Sequence, residues 1–158
     1  MEQVVFDADD LSRVVARMTS LAETGHGWMN LVPLIAGVDD ERPTSLRFTT
    51  LLGGGGMGIT MATWIPTDRE HAEREPPRLG IAHVTGRRAV SELAARSVSL
   101  PAGWVVEQDH ARRGLVVRLP AHETHQHVLE WAMGALRALI APGVIRGWRA
   151  DVYVSEGR

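Results

Sequence analysis

The sequence predicts a single α+β domain, on three observations. The length, 158 residues, fits one domain. The composition, 44% hydrophobic and 23% charged, is that of an ordinary globular chain, and a chain of this size buries enough surface on folding to hold a core without staples. Strand-like alternation and helical periodicity both occur, and from residue 79 onward they follow one another in the order βαββαβ.

The elements follow in turn. After the apolar stretch Val4-Val5-Phe6, the run Asp7-Ala8-Asp9-Asp10 offers capping oxygens and acids suited to a helix N-terminus. Leu11, Val14, Val15, Met18 and Leu21 then recur at helical spacing, and Gly25 and Gly27 supply a stop. Trp28 to Ile35 is apolar but interrupted by Pro33, and periodicity assigns it no element. Leu46 to Leu51 and Ile59 to Ile65 are β-branched runs flanking a glycine run, which reads as a hairpin. Pro66 to Arg78 mixes acids, arginines and prolines, as an exposed connection does.

In the second half, Leu79–Val84, Gly103–Gln108, Gly114–Leu119 and Trp148–Val154 read as strands, with Asp109 to Arg113 as the turn of the central hairpin. Arg87–Arg96 and residues 124–140 read as helices, the second ended by Pro142-Gly143. This order over about 79–154 is that of a ferredoxin-like βαββαβ unit. Residues 1–78, a helix plus a hairpin, are expected to extend or cover its sheet, all within one domain, 1–158. Trp104, Val106, Leu115, Val117, Leu119, Trp148, Ala150, Val152 and Val154 should face the helices. Glu107, Arg118, Arg149, Asp151 and Tyr153 should share the other face, where charges can pair across strands.

Composition excludes several chemistries. There is no cysteine, hence no disulfide, thiol nucleophile or cysteine metal site. All 17 basic residues are arginine, so a Schiff-base or Walker lysine is absent. A net charge of −2 gives no bulk attraction to nucleic acid or anionic membrane. No run approaches the length of a membrane span, and Met1-Glu2-Gln3 is unlike a signal peptide, so a cytoplasmic protein is expected, without nucleic-acid or membrane partners.

Two groups of residues invite function. Gly53-Gly54-Gly55-Gly56-Met57-Gly58 satisfies GxGxxG formally, but a β-rich run closed by Pro66 follows it where the fingerprint needs a helix. It reads as a loop requiring positive φ, or one whose bare backbone approaches a ligand. His122-Glu123-Thr124-His125-Gln126-His127 lacks the second histidine of HExxH, because Gln126 stands there. At helical spacing only His122 and His125 share a face, and His125 also edges the stripe of Val128, Leu129 and Ala132. No GxSxG nucleophile motif is present, and the strands that would be central in an RNA-binding relative of this fold hold no aromatic residue.

The topology supplies the leading site. In a βαββαβ unit the first strand–helix loop, the central hairpin turn and the last helix–strand loop lie at one end. Gly86, Arg87, Arg88, Arg112, Arg113 and Arg146 occupy those connections, with free N–H groups of the first helix aimed the same way. Guanidinium forks suit phosphate or carboxylate. The leading expectation is therefore a non-catalytic binding module for a small anionic ligand, with no cofactor. The alternatives are a metal-dependent enzyme using His122 and His125, and a structural or regulatory subunit forming a homodimer through its sheet face.

Overall fold

A computed structural model of the protein describes residues 1–36, 60–67 and 75–155. The first apolar stretch is strand β1 (Glu2–Phe6), followed by helix α1 (Ser12–Thr24). Asp10 accepts from the Ser12 amide and hydroxyl through Oδ1, at 3.1 and 2.6 Å, so the acidic run opens the helix as its residue types suggest. At the other end Gly25 takes the left-handed conformation and its N–H closes on the Leu21 carbonyl.

The unassigned stretch is strand β2 (Trp28–Ile35). It is flanked in space by β3 (Met61–Ile65) and by the last strand, β7 (Ile145–Tyr153). Among the described residues the β2–β3 ladder ends at Leu31, short of Pro33, which stands opposite Trp148 of β7. The proposed hairpin strand 46–51 and the glycine run 53–58 lie outside the described residues.

The second half supplies β4 (Arg78–Ala82), α2 (Ala89–Ala95), β5 (Val105–His110), β6 (Gly114–Arg118) and α3 (His125–Leu139) before β7. Asp109 and His110 belong to β5, so the hairpin turn is shorter than the sequence suggests. Over the described residues the architecture is α+β: one seven-stranded antiparallel sheet in the order β1-β7-β2-β3-β4-β6-β5, with helices on one face.

This order differs from the ferredoxin-like expectation at one place. A βαββαβ unit closed on itself would set its last strand beside its first, β7 beside β4. Here β2 and β3 lie between them. The reason is β2, which offers β7 a partner along its whole length, from Trp28↔Tyr153 to Ile35↔Ile145, and β3 then bridges β2 to β4. Two crossovers result. β1–α1–β2 joins parallel strands with β7 between them, and β4–α2–β5 joins parallel strands with β6 between them.

The core lies between the helices and one sheet face. Val14, Met18 and Leu21 of α1, Ala89 and Leu93 of α2, and Val128, Ala132 and Leu136 of α3 pack on Val4, Leu31, Trp64, Ile81, Val117, Trp148 and Ala150. Trp104 is buried just ahead of β5, but Val106 and Val154 are exposed, against the expected inward orientation. Val106 adjoins a β-bulge on the sheet edge, and Val154 follows the last paired residue of β7.

Gly114 opens β6 at φ +86°, where an added Cβ would run into the Ile81 carbonyl oxygen. Gly86 also has a positive φ, +68°, but no atom lies within 4 Å of the corresponding position. Gly86→Ala should therefore cost about 1–2 kcal/mol, the left-handed strain alone. Gly114→Ala should cost more, about 2–5 kcal/mol, because strain and overpacking combine. Urea unfolding of the two variants side by side checks the difference; equal losses would contradict the close approach of β4 to the turn.

Candidate functional site

Every strand is antiparallel to its neighbours, so the connections divide between the two ends of the sheet. The β1–α1, β4–α2 and α3–β7 connections and the β5–β6 turn lie at one end, which we call the arginine end. The β3–β4, α1–β2, α2–β5 and β6–α3 connections lie at the other.

The six residues predicted to hold an anion do share the arginine end, but they form two groups. The inserted strands β2 and β3 leave β7 three strand spacings from β4, roughly 14 Å, and four from β6, roughly 19 Å. Arg146 is thus set apart from Gly86, Arg87, Arg88, Arg112 and Arg113. Arg87, just ahead of α2, reaches Glu92 of that helix at 3.3 Å, and Glu92 also holds Arg96 at 2.7 Å. Those two hydrogen bonds, led by that from Arg96, keep the Glu92 carboxyl below its usual range. Arg88 is the N-cap residue of α2, and Arg112 and Arg113 are exposed, their amides donating to His110 Nδ1 at 3.1 and 3.2 Å.

The free N–H groups expected at the start of α2 are already taken. Asp109 reaches across from β5 and accepts from Ala89 at 2.7 Å and from Val90 at 3.3 Å. A carboxylate of the chain itself thus occupies the place where a bound anion was expected. Beside this cap His83 is buried, its Nδ1 3.0 Å from Thr85 Oγ1 and its Nε2 without a hydrogen-bond partner among the described residues. Burial lowers its pKa, against the opposing charges of Asp109 and Glu92.

Of those six residues, Arg146 lines a cleft. A cleft of about 630 Å³ opens between the β1–α1 and α3–β7 connections. Arg146, Arg137 and Trp148 line it, facing Asp7, Asp9 and Asp10. The Arg137 guanidinium lies over the Trp148 ring, 5.2 Å from its centroid, which fixes a planar donor group at the wall. Asp10 is held below the usual carboxylate range, first by the Ser12 hydroxyl and then by the Ser12 amide. Arg137 lies in the last turn of α3 and Asp7–Asp10 lies more than 120 positions away in sequence, so no local pattern links them.

The histidine cluster sits at the opposite end, at the start of α3. His122 is exposed, whereas His125 is half-buried, with Nδ1 3.1 Å from Thr19 Oγ1 and its ring edge-on to Trp64. His127 turns back to Glu123 at 2.7 Å, and Glu123 also accepts from Trp104 Nε1 at 2.6 Å. Burial would raise the Glu123 pKa, but the hydrogen bonds from Trp104, His127 and the Thr124 amide together hold it low. Among the described residues no group of three or more His, Asp or Glu is placed to hold a metal ion, and none of the helices there is long and apolar enough to cross a membrane.

The face opposite the helices carries the polar row foreseen for it. Glu107 pairs with Arg78 at 2.8 Å and lies 3.9 Å from Arg118. Nearer the centre, Arg149 and Asp151 form a buried ion pair, Nε to Oδ1 2.8 Å, beside Asn30, whose Oδ1 accepts from Thr63 at 2.8 Å. Tyr153 stacks on Trp28 with centroids 4.7 Å apart, and burial together with Asp151 raises its pKa.

The two buried histidines fix a pH dependence. Burial lowers the folded-state pKa of both His83 and His125 below the ordinary 6.5. The unfolded chain therefore binds more protons just below pH 6.5, and the folded state loses stability as pH falls through that region towards the folded-state values. The urea midpoint should drop between about pH 7.5 and 5.5, and His83→Gln should flatten that slope. Asp109→Ala, which removes the cap of α2, should cost about 1 kcal/mol at pH 7; a pH-independent midpoint or a neutral Asp109→Ala would contradict these placements.

No protein-family model, no curated protein and no solved structure matches this chain, so what the site does has to be read from its own geometry.

Proposed function

We propose that the chain is a non-catalytic binding module for a small phosphate- or carboxylate-bearing ligand, acting in the cytoplasm. The observation that carries this reading is the 630 Å³ cleft, within the size range of small-molecule sites, walled by Arg146 and by Arg137 held over Trp148. A guanidinium already oriented by an aromatic face loses little freedom when it takes a second, bidentate partner. Asp7 and Asp9 on the facing wall favour a ligand whose remainder carries hydroxyl or amine donors. Gly86, Arg87, Arg88, Arg112 and Arg113 form a separate basic surface at the same end, suited to steering an anion towards the cleft. We further read β4–α2–β5–β6 as the split βαβ part of a ferredoxin-like unit, opened to admit β2 and β3.

A thermal-shift screen against nucleotides, phosphorylated metabolites and acyl carboxylates tests the reading. A ligand at about 100 times its Kd stabilises by about 2.7 kcal/mol. Arg146→Ala should weaken the best ligand by about tenfold or more, the worth of a hydrogen bond to a charged group. Arg88→Ala combined with Arg113→Ala should change its affinity little. The opposite ranking would move the site to the α2 connection, and stabilisation by no anion would refute the proposal.

A further inference from the structure

We propose a second site, at the end of the sheet opposite the arginines, for a small neutral aromatic ring whose one O–H or N–H group donates to His125 Nε2. A cleft of about 240 Å³ lies there between the ends of β3 and β6 and the start of α3. Trp64, Pro66, Pro77, Pro120 and Val128 form its apolar walls, and Glu123 and His125 are its ionisable residues. A cavity of about 150 Å³ already admits benzene, so this one holds a substituted single ring and little more.

One arrangement satisfies both contacts of the Thr19 hydroxyl, and the proposal takes it. Its single proton goes to the Val15 carbonyl at 3.0 Å, which can only accept. The hydroxyl then accepts from His125 Nδ1 at 3.1 Å, and Nδ1 carries the ring proton. Nε2 is left as an acceptor. Burial lowers the pKa of this imidazole below the ordinary 6.5, which favours the neutral ring. Both Glu123 oxygens already accept hydrogen bonds, one from Trp104 and the other from the Thr124 amide and His127, which leaves His125 Nε2 as the less occupied acceptor. Among the described residues its lining holds the Glu123 carboxylate and no arginine, unlike the cleft at the other end, which Arg137 and Arg146 line. Trp64, already edge-on to His125 at 5.3 Å, offers the aromatic contact for the ring.

The test uses the whole chain with phenol and benzene as probes, followed by NMR of the His125 imidazole nitrogens and of the Trp64 indole. The free protein should show His125 as the Nδ1–H tautomer. Phenol should bind about tenfold more tightly than benzene and shift Nε2. Thr19→Val, which releases the tautomer, should lower that preference several-fold, while His122→Ala, exposed and outside the cleft, should leave it unchanged. Acidification that protonates His125 should abolish the preference; Glu123 is the ionisable neighbour facing it, α1 and β3 contributing the uncharged Thr19 and Trp64. An Nε2–H tautomer in the free protein, equal affinities for phenol and benzene, perturbation of Trp148 instead of Trp64, or no binding at millimolar concentration would each overturn the proposal.

Discussion

Strand β7 pairs with β2 along its full length and with β1 from Glu2↔Val152 to Phe6↔Trp148, so the end of the chain supplies the ladder for both strands of the first crossover. Without it, β1 and β2 would stand as parallel strands with a gap between them and a row of unpaired backbone groups on each side. The β1–α1–β2 crossover is thus completed by residues from the opposite end of the sequence. Closing that long loop precedes the contacts that offset its entropy, which places this fold among the slower, non-local topologies. The same strand also distributes the chemistry. Trp148, Ala150 and Val152 enter the helix-facing core, Arg149 and Asp151 enter the opposite face, and Arg146 with Trp148 shapes the large cleft.

The ion pair on β7 shows what fixes the register of the central strands. Arg149 and Asp151 are two residues apart on one face, with side chains only 7% and 6% exposed. Removing two charges from water costs several kcal/mol per ion, so such a pair is weak evidence of net stabilisation, although deleting one partner is expensive. Its consequence is positional. Asp151 stands opposite Asn30, and Asn30 opposite Thr63, so polar groups line up across β7, β2 and β3. A one-residue slip of β2 would turn Asn30 into the helix-facing core and set Met29 or Leu31 against the ion pair. Apolar packing alone discriminates poorly here, because β2 is apolar on both sides of Asn30; the polar row discriminates sharply.

That two-sided burial also explains what the sequence conceals. The α+β class, α3 and β7 are legible because Val128, Ala132 and Leu136 recur at helical spacing and Trp148, Ala150 and Val152 alternate. β2 shows neither period: Met29 to Pro33 are all buried, and an interior proline argues against a central strand. Missing β2 means missing the insertion between β7 and β4. The sequence therefore brings the arginine-bearing connections to one end but sets Arg146 closer to the rest than the strand order allows. Similarly, the N-terminus of α2 looks open in sequence because Asp109, which closes it, lies 20 positions beyond Ala89. For His125, its place beside the apolar stripe of α3 is legible, whereas its partner Thr19 stands 106 positions earlier.

The two clefts are joined by one element, α3, which carries His125 in its first turn and Arg137 in its last. Twelve residues of α-helix set them roughly 18 Å apart. Between them Ala132, Ala135 and Leu136 are packed against the sheet with essentially no exposed surface, so the helix has no slack through which to slide. The charges agree with the helix direction, since Arg137 meets the negative end of the macrodipole while Thr124 caps the positive end without adding charge. Coupling between two such sites requires an element with two discrete arrangements that both ligands bias. A helix held in this way offers only one. The two proposed sites therefore share a scaffold but differ in chemistry, one lined by Arg137 and Arg146 facing three aspartates and the other largely apolar around His125, and the packing of α3 gives no route for coupling between them.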